Sequence, residues 1–207
     1  MTNKEKEKFW LKSVKEVSKN YGWSFKGNFI FKTIDEFFFA SHFYANGKTN
    51  EVFGWSDYKP LNIDNVFWDI INEQANKKMP LSFRGEAVFC VRRIQYFDFR
   101  VNINDPLNPE TEITQLLKTI NDNVLIKHSI IKTLDDFRTD MLKKEDYNTV
   151  GIITSFIEER QFEKALSKIA EYRANKFRCG FGFEGRDFYD LAEEYIKKNC
   201  GFCRLIY

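Results

Sequence analysis

The chain has 207 residues, 43% hydrophobic and 30% charged, which suits one domain with an appendage or two small ones and supports a sizeable core. Its 32 basic and 30 acidic side chains leave a net charge of +2, without the basic excess usual of a nucleic-acid binder. No stretch approaches the roughly 18 apolar residues of a membrane span, the N-terminus lacks an apolar signal segment, and four cysteines without a secretion signal point to reduced thiols. A cytoplasmic protein with no membrane partner is therefore expected.

Thr2 and Glu5 have capping-box spacing, and Phe9, Trp10, Val14, Val17 and Tyr21 form one apolar stripe. Together they predict a helix over 4–20, stopped by Gly22. Between Trp23 and Tyr58 the chain places twelve aromatic residues in thirty-six, in the period-2 pattern of a β-meander. Trp23 and Phe25 alternate with polar residues, Gly27-Asn28 supplies a tight turn, and Phe29 and Phe31 resume the alternation. The next strand carries Phe37, Phe39 and Phe43 on one face and Phe38, Ala40, His42 and Tyr44 on the other, as a central strand covered on both sides would. Asn46-Gly47-Lys48 turns the chain into Val52–Tyr58, which Pro60 ends.

Asp64 is the candidate cap of a helix with the stripe Val66, Phe67, Ile70, Ile71 and Ala75, closed by Pro80. From Glu86 to Ile103 the chain reads as strand, with Phe97, Phe99, Val101 and Ile103 alternating against Asp98, Arg100 and Asn102. Arg92-Arg93 interrupts that stretch, either as a bulge or as the rim of a hairpin. Pro106-Leu-Asn-Pro109 marks a boundary, with Asn108 as cap and Pro109 at the first helical position. Beyond it the pattern is helical: Ile113, Leu116, Leu117, Ile120 and Val124; a second helix capped near Thr133; a helical hairpin through Arg160-Gln161; and a last helix using Phe188, Leu191, Ala192, Tyr195 and Ile196. The expected fold class is α+β, with an aromatic-rich sheet domain over 1–108 and a helical region over 109–207.

Four motifs invite a chemical reading. Gly180-Phe-Gly-Phe-Glu-Gly185 has the letters of a dinucleotide-binding turn, but a helical segment precedes it where that motif needs a strand, so a glycine-rich connection is the simpler reading. Cys200 and Cys203 form a C-x-x-C behind a helix, where the dipole disfavours a thiolate, and Cys179 is the only further zinc ligand nearby in sequence. The two histidines, His42 and His128, lie in opposite halves without a nucleophile motif. Asp187, Asp190, Glu193 and Glu194 suit the first turns of a helix, and Glu158, Glu159 and Glu163 suit a solvated face. No cofactor is expected.

The run Tyr21-Gly-Trp-Ser-Phe-Lys-Gly-Asn-Phe-Ile-Phe resembles a family of bacterial domains of unknown function, whose members open with a helix and a G-F-x-x-K-G-N-x-F strand–turn–strand. The run from Leu116-Leu-Lys to Ile131-Lys-Thr-Leu-Asp-Asp-Phe is similar to that family's helix, break and capped helix. The likeness covers about residues 8–143. It implies a small cytoplasmic protein, in some members linked to toxin–immunity or mobile-defence neighbourhoods, and it supplies no catalytic residues. The expectation drawn from residues and resemblance together is a non-catalytic module that binds another protein, as an immunity or regulatory factor. Tyr44, Trp55, Tyr58, Arg92 and Arg93 are its candidate binding residues. The alternatives are a nucleic-acid-associated protein using Lys26, Lys32, Arg84, Arg92, Arg93 and Arg100 as one basic face, and an enzyme using the Gly180–Gly185 loop or the cysteines.

Overall fold

The structure, a computed structural model, describes residues 1–85 and 89–200. It is α+β. Helix α1 (Asn3–Ser18) starts at the expected capping box: Glu5 N–H donates to Thr2 Oγ1 and Thr2 N–H to Glu5 Oε2. Trp10, Val14 and Val17 are buried on one face, whereas Phe9, expected in that stripe, is exposed. A 3-10 turn follows, and Gly22 ends it in the left-handed conformation (φ 72°), where a side chain would be strained.

Strands β1 (Ser24–Lys26), β2 (Phe29–Ile34), β3 (Phe37–Asn46), β4 (Glu51–Pro60) and β5 (Ile94–Asn102) form an antiparallel sheet in sequential order. β3 lies at its centre, as its two apolar faces require. Phe37, Phe39 and Phe43 face the side where α1 and the long helix α3 (Glu110–Ile130) pack. The α3 stripe Ile113, Leu116, Leu117, Ile120 and Val124 is buried as its spacing predicts, and Trp10 Nε1 donates to the Pro106 carbonyl at 3.1 Å. Asn108 does not cap α3; Pro109 precedes its first residue and no side chain bonds there.

The stretch expected as strand from Glu86 begins outside the described residues at 86–88, and residues 89–93 are not extended into the sheet. Arg92-Arg93 is neither a bulge nor a hairpin rim: it precedes β5. The register break falls instead opposite Ser56/Asp57, where Ser56 pairs with Phe97 and Asp57 with Gln95, so that Tyr96 is the extra residue.

Helix α2 (Ile63–Ile70) lacks the Asp64 cap. Asn62 occupies the capping position without a side-chain bond, and Asp64 is buried, accepting from Val91 N–H (2.8 Å) and pairing with Arg84 (3.3 Å). A buried carboxylate must be paired, and that requirement overrides its local capping preference. The helix ends before Ala75, and two 3-10 turns follow. Helices α4 (Leu134–Leu142), α5 (Glu145–Glu158), α6 (Phe162–Ala174) and α7 (Phe188–Asn199) succeed, α4 opening with a capping box between Thr133 and Asp136. The uninterrupted helical run expected after residue 109 is broken by a small hairpin, β6 (Gly182–Phe183) with β7 (Arg186–Asp187). Glu184 and Gly185 both have positive φ there, as a two-residue hairpin loop demands.

The chain divides into two compact units, each discontinuous in sequence: Met1–Lys59 with Arg93–Lys132, and Pro60–Arg92 with Thr133–Tyr207. The division does not fall at Pro109, because α3 belongs with the sheet. No helix among the described residues is long and apolar enough to cross a membrane.

Candidate functional site

On the sheet face opposite α1 and α3, stacked rings cross three strands. Strand alternation puts Phe29 and Phe31 of β2, His42 and Tyr44 of β3, and Phe53, Trp55 and Asp57 of β4 on this side. His42 lies between Phe29 and Trp55, each ring centroid 5.2 Å away and nearly parallel. Tyr44 stacks on Trp55 at 5.5 Å and on Phe53 at 5.9 Å. The Arg100 guanidinium of β5 sits 5.6 Å above the Phe53 ring. The series runs from buried Phe29 to exposed Tyr44, which retains 42% of its surface.

A buried ion pair anchors the middle of this series. Arg93 Nε lies 2.7 Å from Asp57 Oδ1, and Asp57 is 4% exposed. Trp55 Nε1 donates to Asp57 Oδ2 at 3.3 Å, which fixes the indole plane. The Arg93 terminal nitrogen lies 3.0 Å from His42 Nε2. A guanidinium only donates, so that Nε2 is the acceptor and the imidazole proton sits on Nδ1. Burial holds the His42 pKa below its ordinary value; adjacent Arg93 lowers it further while Asp57 opposes both. His42 therefore keeps its neutral form to lower pH than a free imidazole.

This arrangement provides rigidity rather than a poised base. The His42 lone pair is engaged by Arg93, and the Asp57 carboxylate by Arg93 and Trp55. Ser41 and Ser56, which adjoin His42 and Asp57 in sequence, project to the opposite face and bond each other at 2.8 Å. On that same covered face Tyr96 is half-buried near Ser56, its phenol driven well above the ordinary range by desolvation.

Of the binding residues expected from sequence, the structure brings Tyr44 and Trp55 together and joins Arg93 to them through Asp57. Tyr58 is fully buried, stacked on Phe39 at 6.0 Å and edge-on to Tyr96, with Lys127 over its ring, so it is part of the core. Arg92 belongs to the other compact unit, where it lies over the exposed Tyr147 ring. Phe53 was missed as a site residue, although it stands two positions before Trp55 on one strand and so shares its face.

The six basic residues do not form one face. Lys32 projects to the helix-covered side, bonding Asn121 at 2.6 Å and lying over Trp23, whereas Lys26, opposite Phe29, and Arg93 and Arg100 are on the aromatic side, and Arg84 and Arg92 lie in the other unit. The acidic clusters are largely paired: Arg173 holds Asp190 and Glu193, Arg186 holds Glu194, and Arg138 holds Glu159. Gly180–Gly185 supplies β6 and the turn of the β6–β7 hairpin rather than a strand-to-helix phosphate turn. Cys203 lies outside the described residues, while Cys179 and Cys200 are free thiols, and no group of three metal-ligating side chains occurs among the described residues. Compared with protein-family models, curated proteins and solved structures, the chain matches none.

Proposed function

We propose that the chain is a non-catalytic protein-binding module that recognises another protein through Tyr44, Phe53 and Trp55, in the manner of an immunity or regulatory factor. The observation that carries this reading is an exposed tyrosine stacked on two further aromatics whose tryptophan is fixed by a buried ion pair. Tyr, Trp and Arg are the residues most often found as energetic anchors of interfaces. Rings already ordered in the free protein lose little side-chain entropy when a partner covers them, so more of the contact energy appears as affinity. Arg100, 66% exposed and 3.5 Å from Glu51, adds a charged rim.

The test is affinity capture from the native cell extract with the wild-type chain and with Tyr44→Ala. A stoichiometric protein partner held by the wild type and lost with Tyr44→Ala supports the reading. Absence of such a partner, or its full retention by the variant, contradicts it. Salt-sensitive retention of nucleic acid in place of a protein would transfer this surface to the nucleic-acid reading.

A further inference from the structure

The edge of the sheet at β5 has a self-complementary pattern. Among the described residues β5 pairs with β4 alone. Ile103 N–H donates to the Asn50 carbonyl at 2.7 Å, and Asn102 stands opposite Glu51. Hydrogen bonds in an antiparallel ladder alternate, so Val101 and Phe99 direct their backbone groups to β4 while Asn102, Arg100 and Asp98 direct theirs outward. Those three residues are exposed, and their side chains lie on the aromatic face.

We propose that β5 pairs antiparallel with β5 of a second copy of this chain, about a twofold axis at Phe99, joining two five-stranded sheets. This register sets Arg100 of each copy opposite Asp98 of the other. Outward backbone groups then meet outward groups, and two pairs of opposite charge form on one face. Neighbouring registers fail on identifiable grounds. A one-residue shift opposes outward to inward backbone groups. A two-residue shift sets Asp98 against Asp98 or Arg100 against Arg100, which like-charge repulsion disfavours. Both side chains are available for the exchange: Arg100 is 66% exposed, 3.5 Å from Glu51 and over the Phe53 ring, and Asp98 accepts one bond from Gln95 (2.7 Å) while remaining exposed. The Tyr96 bulge limits the joint to the segment beyond it, so the contact is short and the dimer weak.

Sedimentation velocity from micromolar to near-millimolar protein tests this, with far-ultraviolet circular dichroism confirming that each variant is folded. The wild type is expected to dimerise with concentration. Arg100→Asp and Asp98→Arg should each weaken the dimer by about tenfold or more, and the exchange Asp98→Arg/Arg100→Asp should restore it, because every facing pair again has opposite sign. A wild type that stays monomeric throughout would overturn the proposal and assign the two charges to guarding an open edge. A dimer indifferent to Arg100→Asp, or a double exchange that fails to recover it, would overturn it too. Arg100 also borders the Tyr44 surface, so partner recognition is read with Tyr44→Ala, which leaves the β5 edge unaltered.

Discussion

At the scale of single residues, His42 shows how a polar group is made compatible with a stack of aromatics. Its placement on the Phe38/Ala40/Tyr44 face followed from strand alternation, and a hydrogen-bonded structural histidine is what the structure contains. Its partners were not legible, because Asp57 and Arg93 are brought together only when β4 and β5 pair. Since the folded His42 binds its proton less readily than an unfolded histidine, the unfolded state takes up the proton first as pH falls. The stability contribution is present above about pH 6.5 and declines as pH drops below it. Urea midpoints should therefore fall between pH 7.5 and 5.5 for the wild type, and His42→Phe should flatten that dependence. Asp57→Ala removes the buried carboxylate that Arg93 and Trp55 share and should cost about 3–5 kcal/mol by urea denaturation. Gly54 is constrained by space rather than by φ: a Cβ there would lie 1.7 Å from the His42 carbonyl oxygen and 2.9 Å from the Phe99 ring. Gly54→Ala should accordingly cost about 3 kcal/mol or more, read as a lowered thermal midpoint.

At the scale of elements, local chemistry was legible and long-range demands were not. The Thr2/Glu5 box, the Gly22 stop, the Gly27 turn and the α3 stripe all depend on residues within a few positions of one another, and each is present. Thr133 is similar: its side chain and that of Asp136 satisfy two otherwise orphaned backbone donors, so Thr133→Ala should lower stability by about 1 kcal/mol in chemical denaturation. Asp64 carried the same local signal as Thr133 and was misread, because burial against Arg84 and Val91 decides its role. The β5 bulge was displaced from the Arg pair to Tyr96 for a comparable reason. Its position depends on what β4 presents opposite, and a single strand's alternation does not contain that information.

At the scale of the whole molecule, the same distinction explains the division of the chain. Pro106 to Pro109 carries strong turn and helix-start signals, and a helix does start there. A helix start is not a unit boundary, however, since the apolar stripe of α3 is buried with the sheet that precedes it in sequence. The candidate site was legible in part. Tyr44 and Trp55 stood out as amphipathic aromatics on neighbouring strands, and Tyr58 shared their composition but faces the core across the sheet. Exposure was the missing quantity, since twelve aromatics in thirty-six residues cannot all be sorted into core and rim by pattern alone. The Tyr44 ring is proposed as part of a recognition surface beyond its role in sheet packing. Replacing Tyr44 in the native cell with a photo-crosslinking phenylalanine analogue, beside the same replacement at exposed Leu107, tests it most directly. One discrete adduct with a protein other than this chain is expected at position 44, and none at 107. No adduct at 44, or equal labelling at both positions, would contradict it.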